Sequence, residues 1–279
     1  MRLELRDDLA HVWQTAPFGK ADAFAVARAQ QGTIYRDKEG RRTLRFEAGG
    51  HGYFLKLHQG VGWGEIIKNL LQLRLPVIGA RNEYQAIRAL ERLGLATLTI
   101  AGYGERGWNP ARRLSFLVTD ELADVVSLED YCRPWREQPP APALRQQLIR
   151  RVAEISRTLH ESGINHRDFY LCHFLLERGA EVSTSAGLAS RRIYLMDLHR
   201  AQIRARVPRR WLIKDLGALY YSALDIGLTR NDVLRFLRSY RGAPLRAFLP
   251  RERAFWEAVK ERAGRIYRRD FQREPQWPL

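Results

Sequence analysis

The chain has 279 residues, 45% of them hydrophobic and 28% charged, which suits a globular protein built as one two-lobed unit or two closely joined domains. No apolar run reaches the roughly 18 residues of a membrane-spanning helix, and the N-terminus lacks the apolar segment of a secretory signal. The two cysteines are too few for a disulfide framework, so we expect a cytoplasmic protein without a transmembrane segment.

The chain is strongly basic. It contains 47 lysine and arginine residues against 31 acidic ones, for a net charge of +16. Such a field attracts nucleic acid, acidic lipid head groups, phosphorylated sugars or an acidic protein, although a general preference for arginine would produce the same excess. Only six of the cations are lysines, so a lysine inside an apolar segment points to a specific role.

The first part of the chain predicts antiparallel strands. Residues 33–36 and 42–47 have the pattern of a hairpin, with a turn at 37–40. Residues 52–58 form an aromatic and aliphatic strand flanked by glycines, and Lys56 lies within it. The sequence therefore predicts a small sheet that carries a lysine on one of its strands.

Two amphipathic segments follow this strand. Residues 63–75 carry apolar side chains at helical spacing and predict an extra helix, which either packs as ordinary core or lies against a membrane or a partner. Residues 80–93 predict a second helix with one apolar stripe, ended by Gly94.

The second helix supplies the expected acidic partner of Lys56. Glu83 lies beside its apolar stripe, near the beginning of the helix. Glu65 and Glu91 are the alternatives, but Glu65 is close to Lys56 in the sequence and Glu91 comes late on the helix. We favour Glu83 by its position, without proof from spacing.

The second half contains the motif with the clearest chemistry. A long helix predicted at 143–162 leads directly to His166-Arg167-Asp168. Two short apolar strands follow, at 174–176 and 193–196, and Asp197 ends the second one. A helix, this loop, a strand pair and a final aspartate are the order in which protein kinases place their two catalytic carboxylates.

The sequence thus predicts an α+β protein with the bilobal protein-kinase-like fold. A small N-lobe with an antiparallel sheet is expected at 1–122, and a mainly helical C-lobe with the catalytic and metal loops at 123–279. In such a fold Asp168 orients the acceptor hydroxyl and accepts its proton, and Asp197 binds the metal on the nucleotide phosphates. Lys56 and Glu83 then hold the phosphates.

Two further features concern the nucleotide. The strand at 114–122 has the position of the crossing between lobes, where the backbone of Glu121 and Leu122 would meet an adenine edge. The hairpin turn at 37–40 occupies the place of the phosphate-covering loop, yet it contains one glycine and is surrounded by three cations. Arginine side chains would therefore do part of the work of backbone N–H groups.

One residue departs from the protein-kinase pattern. His173 stands five residues after Asp168, where protein kinases have a metal-binding asparagine. Imidazole suits Mn²⁺ or Zn²⁺ better than Mg²⁺, so His173 either binds a second metal weakly or only hydrogen-bonds the loop. A zinc site with His166 and Cys172 is not favoured, because no paired ligand motif accompanies them.

Longer motifs add a resemblance that covers nearly the whole chain. These motifs are Gly62-Trp63-Gly64-Glu65, Asn165-His166-Arg167-Asp168 with Cys172-His173-Phe174, Asp197-Leu198-His199-Arg200-Ala201, and Lys214-Asp215-Leu216 with Asp225-Ile226-Gly227-Leu228-Thr229. Together they are similar to the bacterial lipopolysaccharide core heptose(I) kinase family.

The resemblance implies phosphorylation of the first inner-core heptose by ATP and Mg²⁺, or Mn²⁺, at the inner face of the inner membrane of a Gram-negative cell. It also implies that Asp168 is the catalytic aspartate and that His173 is a family trait. The acceptor, a lipopolysaccharide core on an anionic leaflet, would explain the positive charge. An acidic carrier protein such as acyl carrier protein is a further candidate partner on grounds of charge.

Three other interpretations remain open. A kinase of Kdo, the neighbouring acidic core sugar, would differ only in its acceptor. A kinase-like protein that only binds nucleotide or an acidic partner is favoured by the missing glycine-rich loop and by His173, and opposed by Lys56, Asp168 and Asp197. A nucleic-acid-binding protein is not expected, because the sequence lacks a recognisable helix-turn-helix, RNP motif or basic tail.

Overall fold

The computed structural model describes residues 1–15, 22–38, 40–60, 62–71, 79–179 and 185–278. The chain forms two compact units. The first unit comprises Met1–Ala89 and Leu98–Ala123, and the second comprises Leu90–Thr97 and Asp124–Leu279. The first unit is dominated by one sheet and the second by helices, so the predicted α+β, kinase-like class is confirmed.

A six-stranded antiparallel sheet forms the first unit, with the strand order β1-β5-β6-β4-β3-β2. Its elements along the chain are β1 (Arg2–Leu5), α1 (Asp7–Thr15), α2 (Ala23–Ala29), β2 (Thr33–Lys38), β3 (Arg41–Ala48), β4 (His51–His58), α3 (Gly62–Leu71), α4 (Arg81–Arg92), β5 (Ile100–Arg106) and β6 (Leu114–Asp120).

Strand β4 shows how the sequence positions Lys56. Tyr53, Leu55 and Leu57 alternate along β4 and are buried, because successive side chains of a strand point to opposite faces. They belong to one apolar core with residues of α1, α2 and β6. Lys56 pairs with Thr43 on β3 and Leu117 on β6, so its side chain leaves the sheet on the face opposite this core.

The hairpin before β4 and the extra helix after it are both present in the described part of the chain. The hairpin at 33–47 forms, with β2 and β3 antiparallel, and residue 39 of its turn lies outside the described residues. The extra helix predicted at 63–75 is present as α3, which runs Gly62–Leu71. The rest of that prediction, at 72–75, also lies outside the described residues.

Helices dominate the second unit. Its elements are β7 (Val125–Ser127), α5 (Leu128–Cys132), α6 (Pro142–Glu161), β8 (Ile164–Asn165), β9 (Phe174–Glu177), α7 (Ser185–Ser190), β10 (Ile193–Leu195), β11 (Gln202–Ile203), α8 (Arg209–Ser222), α9 (Arg230–Arg241) and α10 (Leu245–Phe271). Two small sheets, β10-β9-β7 and β11-β8, flank the loops that carry Asp168, after β8, and Asp197, after β10.

The four long helices of the second unit share one core. Ala153 of α6, Leu216 of α8, Tyr240 of α9, and Phe255 and Val259 of α10 pack together and are buried. This core packs α6, which leads into the catalytic loop, against α8, which carries Asp215. Among the described residues, no helix combines the length and the apolar character needed to cross a membrane.

Candidate active site

Lys56 and Glu83 form a close ion pair within the first unit. The Lys56 Nζ donates a hydrogen bond of 2.6 Å to Glu83 Oε1. Glu83 lies in the first turn of α4 and its side chain is only 2% exposed, whereas that of Lys56 is 25% exposed. The structure therefore brings together the two residues that the sequence paired. Glu91 is exposed on the last turn of α4, and the side chain of Glu65 lies outside the described residues.

Glu121 and Leu122 follow directly after the end of β6. The Glu121 carboxylate accepts a hydrogen bond of 2.6 Å from Arg45 Nε, and the Glu121 N–H donates to the Gly52 carbonyl oxygen at 2.9 Å. Because the N–H of Glu121 is used in this way, recognition of an adenine edge at this residue would have to use its carbonyl oxygen.

The loop that carries Asp168 is fixed from beneath by Asp215. This α8 carboxylate is fully buried, and it accepts hydrogen bonds from the backbone N–H of His166 at 2.6 Å and of Arg167 at 2.9 Å. Arg167 has φ +77°, a conformation that is unfavourable for a residue with a side chain and persists only where its surroundings impose it. Asp215 supplies that constraint immediately before Asp168.

His166 connects the catalytic loop to the segment that precedes Asp197. Its Nε2 lies 2.9 Å from the carbonyl oxygen of Met196, and its Nδ1 lies 3.3 Å from the backbone N of Asp168. Burial lowers the pKa of His166, which keeps the ring neutral, with Nε2 as donor and Nδ1 as acceptor. His166 is therefore a structural member of the site and the structure gives no support to a zinc ligand here.

Asp168 pairs with an arginine that the sequence argument missed. Arg200 Nη1 donates to both carboxylate oxygens of Asp168, at 2.8 and 3.1 Å. Arg200 comes three residues after Asp197, in a short 3₁₀ turn. Its place within Asp197-Leu198-His199-Arg200 was visible in the sequence, but nothing in the spacing indicated that it would reach Asp168.

Asp197 occupies a strained turn at the end of β10. Its backbone has φ +62° and ψ +47°, the left-handed conformation, which is unfavourable for a residue with a side chain. His199 Nδ1 lies 2.6 Å from Asp197 Oδ1 and donates to it. A strained backbone and a dedicated donor together set the direction of this carboxylate.

His173 lies close to both Asp168 and Asp197. Its Nδ1 is 2.6 Å from the carbonyl oxygen of Asp168, so this nitrogen carries the proton and donates. In the neutral ring, Nε2 then presents a lone pair, and it lies 3.6 Å from Asp197 Oδ2. The two side chains thus present one nitrogen and one oxygen close to each other.

This donor set fits a divalent cation. A carboxylate is the ligand that Mg²⁺ takes from a protein when phosphates supply the remaining oxygens, and an imidazole beside it suits Mn²⁺ at least as well. Asp197 and His173 thus offer one oxygen and one nitrogen donor, and His199 orients the oxygen donor.

The fold and these loops define a phosphotransferase of the kinase-like class. Residues 26–240 match the lipopolysaccharide kinase (Kdo/WaaP) family, and the chain belongs to that family. This confirms the resemblance seen in the sequence. A kinase of this family uses ATP, usually with a divalent metal ion.

Named relatives match over almost their whole length. The chain is 51% identical, over 269 residues, to the lipopolysaccharide core heptose(I) kinase WaaP of Pseudomonas aeruginosa, covering 96% of this chain and 97% of that protein. It is 47% identical, over 267 residues, to the protein of the same name from Escherichia coli K12, again covering 96% and 97%. A solved structure of WaaP in complex with acyl carrier protein has a TM-score of 0.80 at 44% identity, covering 96% of this chain and all of that one.

Proposed function

We propose that this protein transfers the γ-phosphate of ATP to a hydroxyl group of the first heptose of the lipopolysaccharide core. The observation that carries the proposal is the full-length similarity to core heptose(I) kinases, in a chain whose Asp168 and Asp197 lie on two loops that are hydrogen-bonded to each other. The kinase names of the relatives favour a phosphotransferase over a protein that only binds nucleotide.

Asp168 is assigned to the acceptor. Its carboxylate would accept a hydrogen bond from the attacking hydroxyl, orient the oxygen toward the γ-phosphorus and take the proton late, because phosphoryl transfer needs mainly positioning and charge stabilisation. The Arg200 guanidinium pairs with this carboxylate. When the negatively charged γ-phosphoryl group arrives, the same guanidinium is placed to share its donors between Asp168 and the phosphate oxygens.

Lys56 is assigned to the phosphates of ATP, with Glu83 holding its ammonium group. The buried carboxylate fixes the end of a flexible side chain, which lowers the entropy lost when the ammonium binds a phosphate. The Glu121 carbonyl and the backbone of Leu122 are assigned to the adenine edge.

Asp197 and His173 are assigned to the metal ion. A cation held there would draw charge from the phosphate oxygens as the bond to the leaving group breaks. The chain's own part is to hold the donors: the strained backbone and His199 direct Asp197, and the Asp168 carbonyl fixes the tautomer of His173.

Incubation of the purified protein with ATP, Mg²⁺ and dephosphorylated core lipopolysaccharide tests the function directly. We expect the acceptor to gain the mass of one phosphate, located on a heptose by fragmentation. Asp168→Asn should abolish the gain, and Asp7→Asn, which removes an exposed acid at the start of α1, should leave it unchanged. Phosphate found on Kdo instead of heptose, or undiminished transfer by Asp168→Asn, would contradict the assignment.

A membrane-surface location is proposed from the exposed stripe of α3. Trp63, Ile67 and Leu71 recur every four residues and are 55%, 52% and 81% exposed. Such a stripe suits the interface of a bilayer, where the acceptor is anchored. The proposal predicts that the protein sediments with vesicles containing anionic lipid, and that Trp63→Ser with Ile67→Ser lowers the bound fraction. Equal sedimentation of the variant would remove α3 from this role.

Acyl carrier protein is proposed as a partner. The support is the solved complex of a relative and the net charge of +16, which suits an acidic protein. The second unit also contains an apolar cavity of about 290 Å³, lined by Leu148, Val152, Leu219, Leu237 and Val259 among others, whose chemistry suits an acyl chain. Titration with acylated and unacylated carrier protein tests this, and equal affinity for the two forms would speak against the cavity's role.

A further inference from the structure

Four cations surround one indole ring beside the catalytic loop. Lys214 Nζ lies 4.3 Å from the centroid of Trp211, and the guanidinium carbons of Arg167, Arg210 and Arg204 lie at 5.1, 5.6 and 5.8 Å. Lys214 and Arg210 are exposed, and Arg167 and Arg204 are partly buried, so the group reaches solvent. We call these four cations the Trp211 cluster.

The acids near the Trp211 cluster are already engaged. The carboxylates whose charge acts on Arg167 are Asp168 and Asp215. Asp168 is paired with Arg200, and Asp215 accepts two backbone N–H groups. In the part of the chain that the structure describes, the side chains of Arg167, Arg210 and Lys214 contact the Trp211 ring and form no ion pair with a carboxylate.

Repulsion among these cations is therefore only partly offset, by the charges of Asp168 and Asp215. Burial lowers the pKa of Lys214, and the neighbouring Arg262, Arg167 and Arg210 lower it further. Arg204 differs from the others, because its guanidinium donates to the side chains of Asn165 and Gln202, which are neutral. Like charges held together without a carboxylate in direct contact are the arrangement of a site that receives an anion.

The Trp211 cluster has a fixed relation to the catalytic loop within the second unit. Arg167 is the residue before Asp168, and its backbone N–H is bound to Asp215. Lys214 is the residue before Asp215, at the start of the same helix α8. An anion bound by the cluster is thus held at a set position relative to Asp168, on the same loop and helix that position this carboxylate.

We propose that the Trp211 cluster is an anion site for the acidic groups of the saccharide acceptor, carboxylate or phosphate, that lie next to the hydroxyl to be phosphorylated. The inference rests on the proposed function, since a heptose is neutral and the acceptor's charge resides on its neighbouring acidic sugars and lipid phosphates. The planar guanidinium groups match carboxylate and phosphate oxygens, and the exposed ammonium adds a mobile charge.

The test compares two variants with the same change in charge. Arg210→Gln with Lys214→Gln removes the two exposed members of the cluster, and Arg246→Gln with Arg253→Gln removes two exposed cations of α10 as the control. Thermal unfolding checks that both remain folded. Steady-state kinetics are measured on three core acceptors: an intact one, one with its sugar carboxylates reduced, and one without lipid phosphates.

We expect the cluster variant to raise the KM for intact acceptor about tenfold or more, with the KM for ATP unchanged and the control like the parent protein. If the anion is the sugar carboxylate, the parent loses the same factor on the carboxyl-reduced acceptor, where the variant loses nothing further. If it is the lipid phosphate, this pattern appears instead on the acceptor without phosphates.

Calorimetry with the same acceptors and without ATP separates this inference from the proposed function. Carboxylate- or phosphate-dependent binding that is lost in the cluster variant supports the anion site even if no phosphate is transferred. The inference is overturned if the variant matches the control on intact acceptor, or if its defect is the same on all three acceptors. It is also overturned if the variant loses only the retardation of DNA or RNA at low salt while acceptor binding stays intact.

Discussion

Replacement of Lys56 separates its structural role from its proposed role at the phosphates. In Lys56→Met the Glu83 carboxylate, 2% exposed, loses the ammonium at 2.6 Å. Removing one partner of a buried ion pair typically costs about 3–5 kcal/mol, because the other charge stays buried without compensation. We expect a loss of about 3 kcal/mol in the free energy of unfolding, a large part of the roughly 5–15 kcal/mol that stabilises a domain.

The double variant Lys56→Met with Glu83→Leu removes both charges. Replacing a whole buried pair by apolar side chains is often neutral or stabilising, so stability should return to within about 1 kcal/mol of the parent. Activity should not return. A missing ammonium at the phosphates should lower kcat/KM for ATP roughly 100-fold or more in both variants.

Urea unfolding and ATP kinetics on the parent, the two single variants and the double variant form a complete cycle. Glu83→Leu alone leaves Lys56, which is 25% exposed and can turn toward water, so its stability should fall less than that of Lys56→Met. The reasoning is refuted if Lys56→Met unfolds like the parent, since the pair would then contribute nothing. It is equally refuted if the double variant binds and uses ATP normally.

Three further variants probe the second unit. Asp215→Asn replaces one of the two carboxylate oxygens that accept backbone N–H groups by an amide NH₂, which is a donor. It should lower the free energy of unfolding by about 2–3 kcal/mol and lower kcat, with a smaller effect on the KM for ATP. An unchanged kcat would contradict this role. Arg200→Ala should lower kcat at least tenfold, and added guanidinium should restore part of the lost activity, whereas Arg200→Lys should remain active without it. If guanidinium restores no activity to Arg200→Ala, the role of Arg200 is structural alone. Asp197→Asn should raise the Mg²⁺ concentration required for half-maximal activity about tenfold or more, and an identical metal titration would remove Asp197 from the site.

Local patterns predicted the parts of the site that lie on regular elements. The aromatic and aliphatic run at 52–58 predicted the strand that carries Lys56, and the apolar stripe of 80–93 predicted the helix that carries Glu83 near its beginning. Both inferences use side-chain periods of 2.0 and 3.6 residues, which hold wherever one face is buried. The pairing of these two residues was expected from the kinase-like pattern and from the position of Glu83, and the structure shows the ion pair.

Two groups of contacts that depend on tertiary packing were not predicted. Arg200 reaches Asp168 across 32 residues from a short 3₁₀ turn, which has no periodicity to reveal it. The Trp211 cluster gathers side chains from the catalytic loop, the segment after β11 and α8, so it exists only once these segments are packed. The N-terminal helices α1 and α2 also escaped prediction, because they are short and gain their stability from the core of the sheet.

Hydrogen bonds within the second unit join the loop that carries Asp168 to the segment that precedes Asp197. His166 joins the catalytic loop to the Met196 carbonyl, the Met196 N–H donates to the His173 carbonyl at 3.0 Å, and His173 returns to the Asp168 carbonyl. These bonds, all between residues of the second unit, hold Asp168 and Asp197 in one arrangement. Loss of Lys56 should therefore impair the binding and activation of ATP while leaving the affinity for the saccharide acceptor unchanged, since the groups assigned to the acceptor are positioned by bonds that the substitution does not touch.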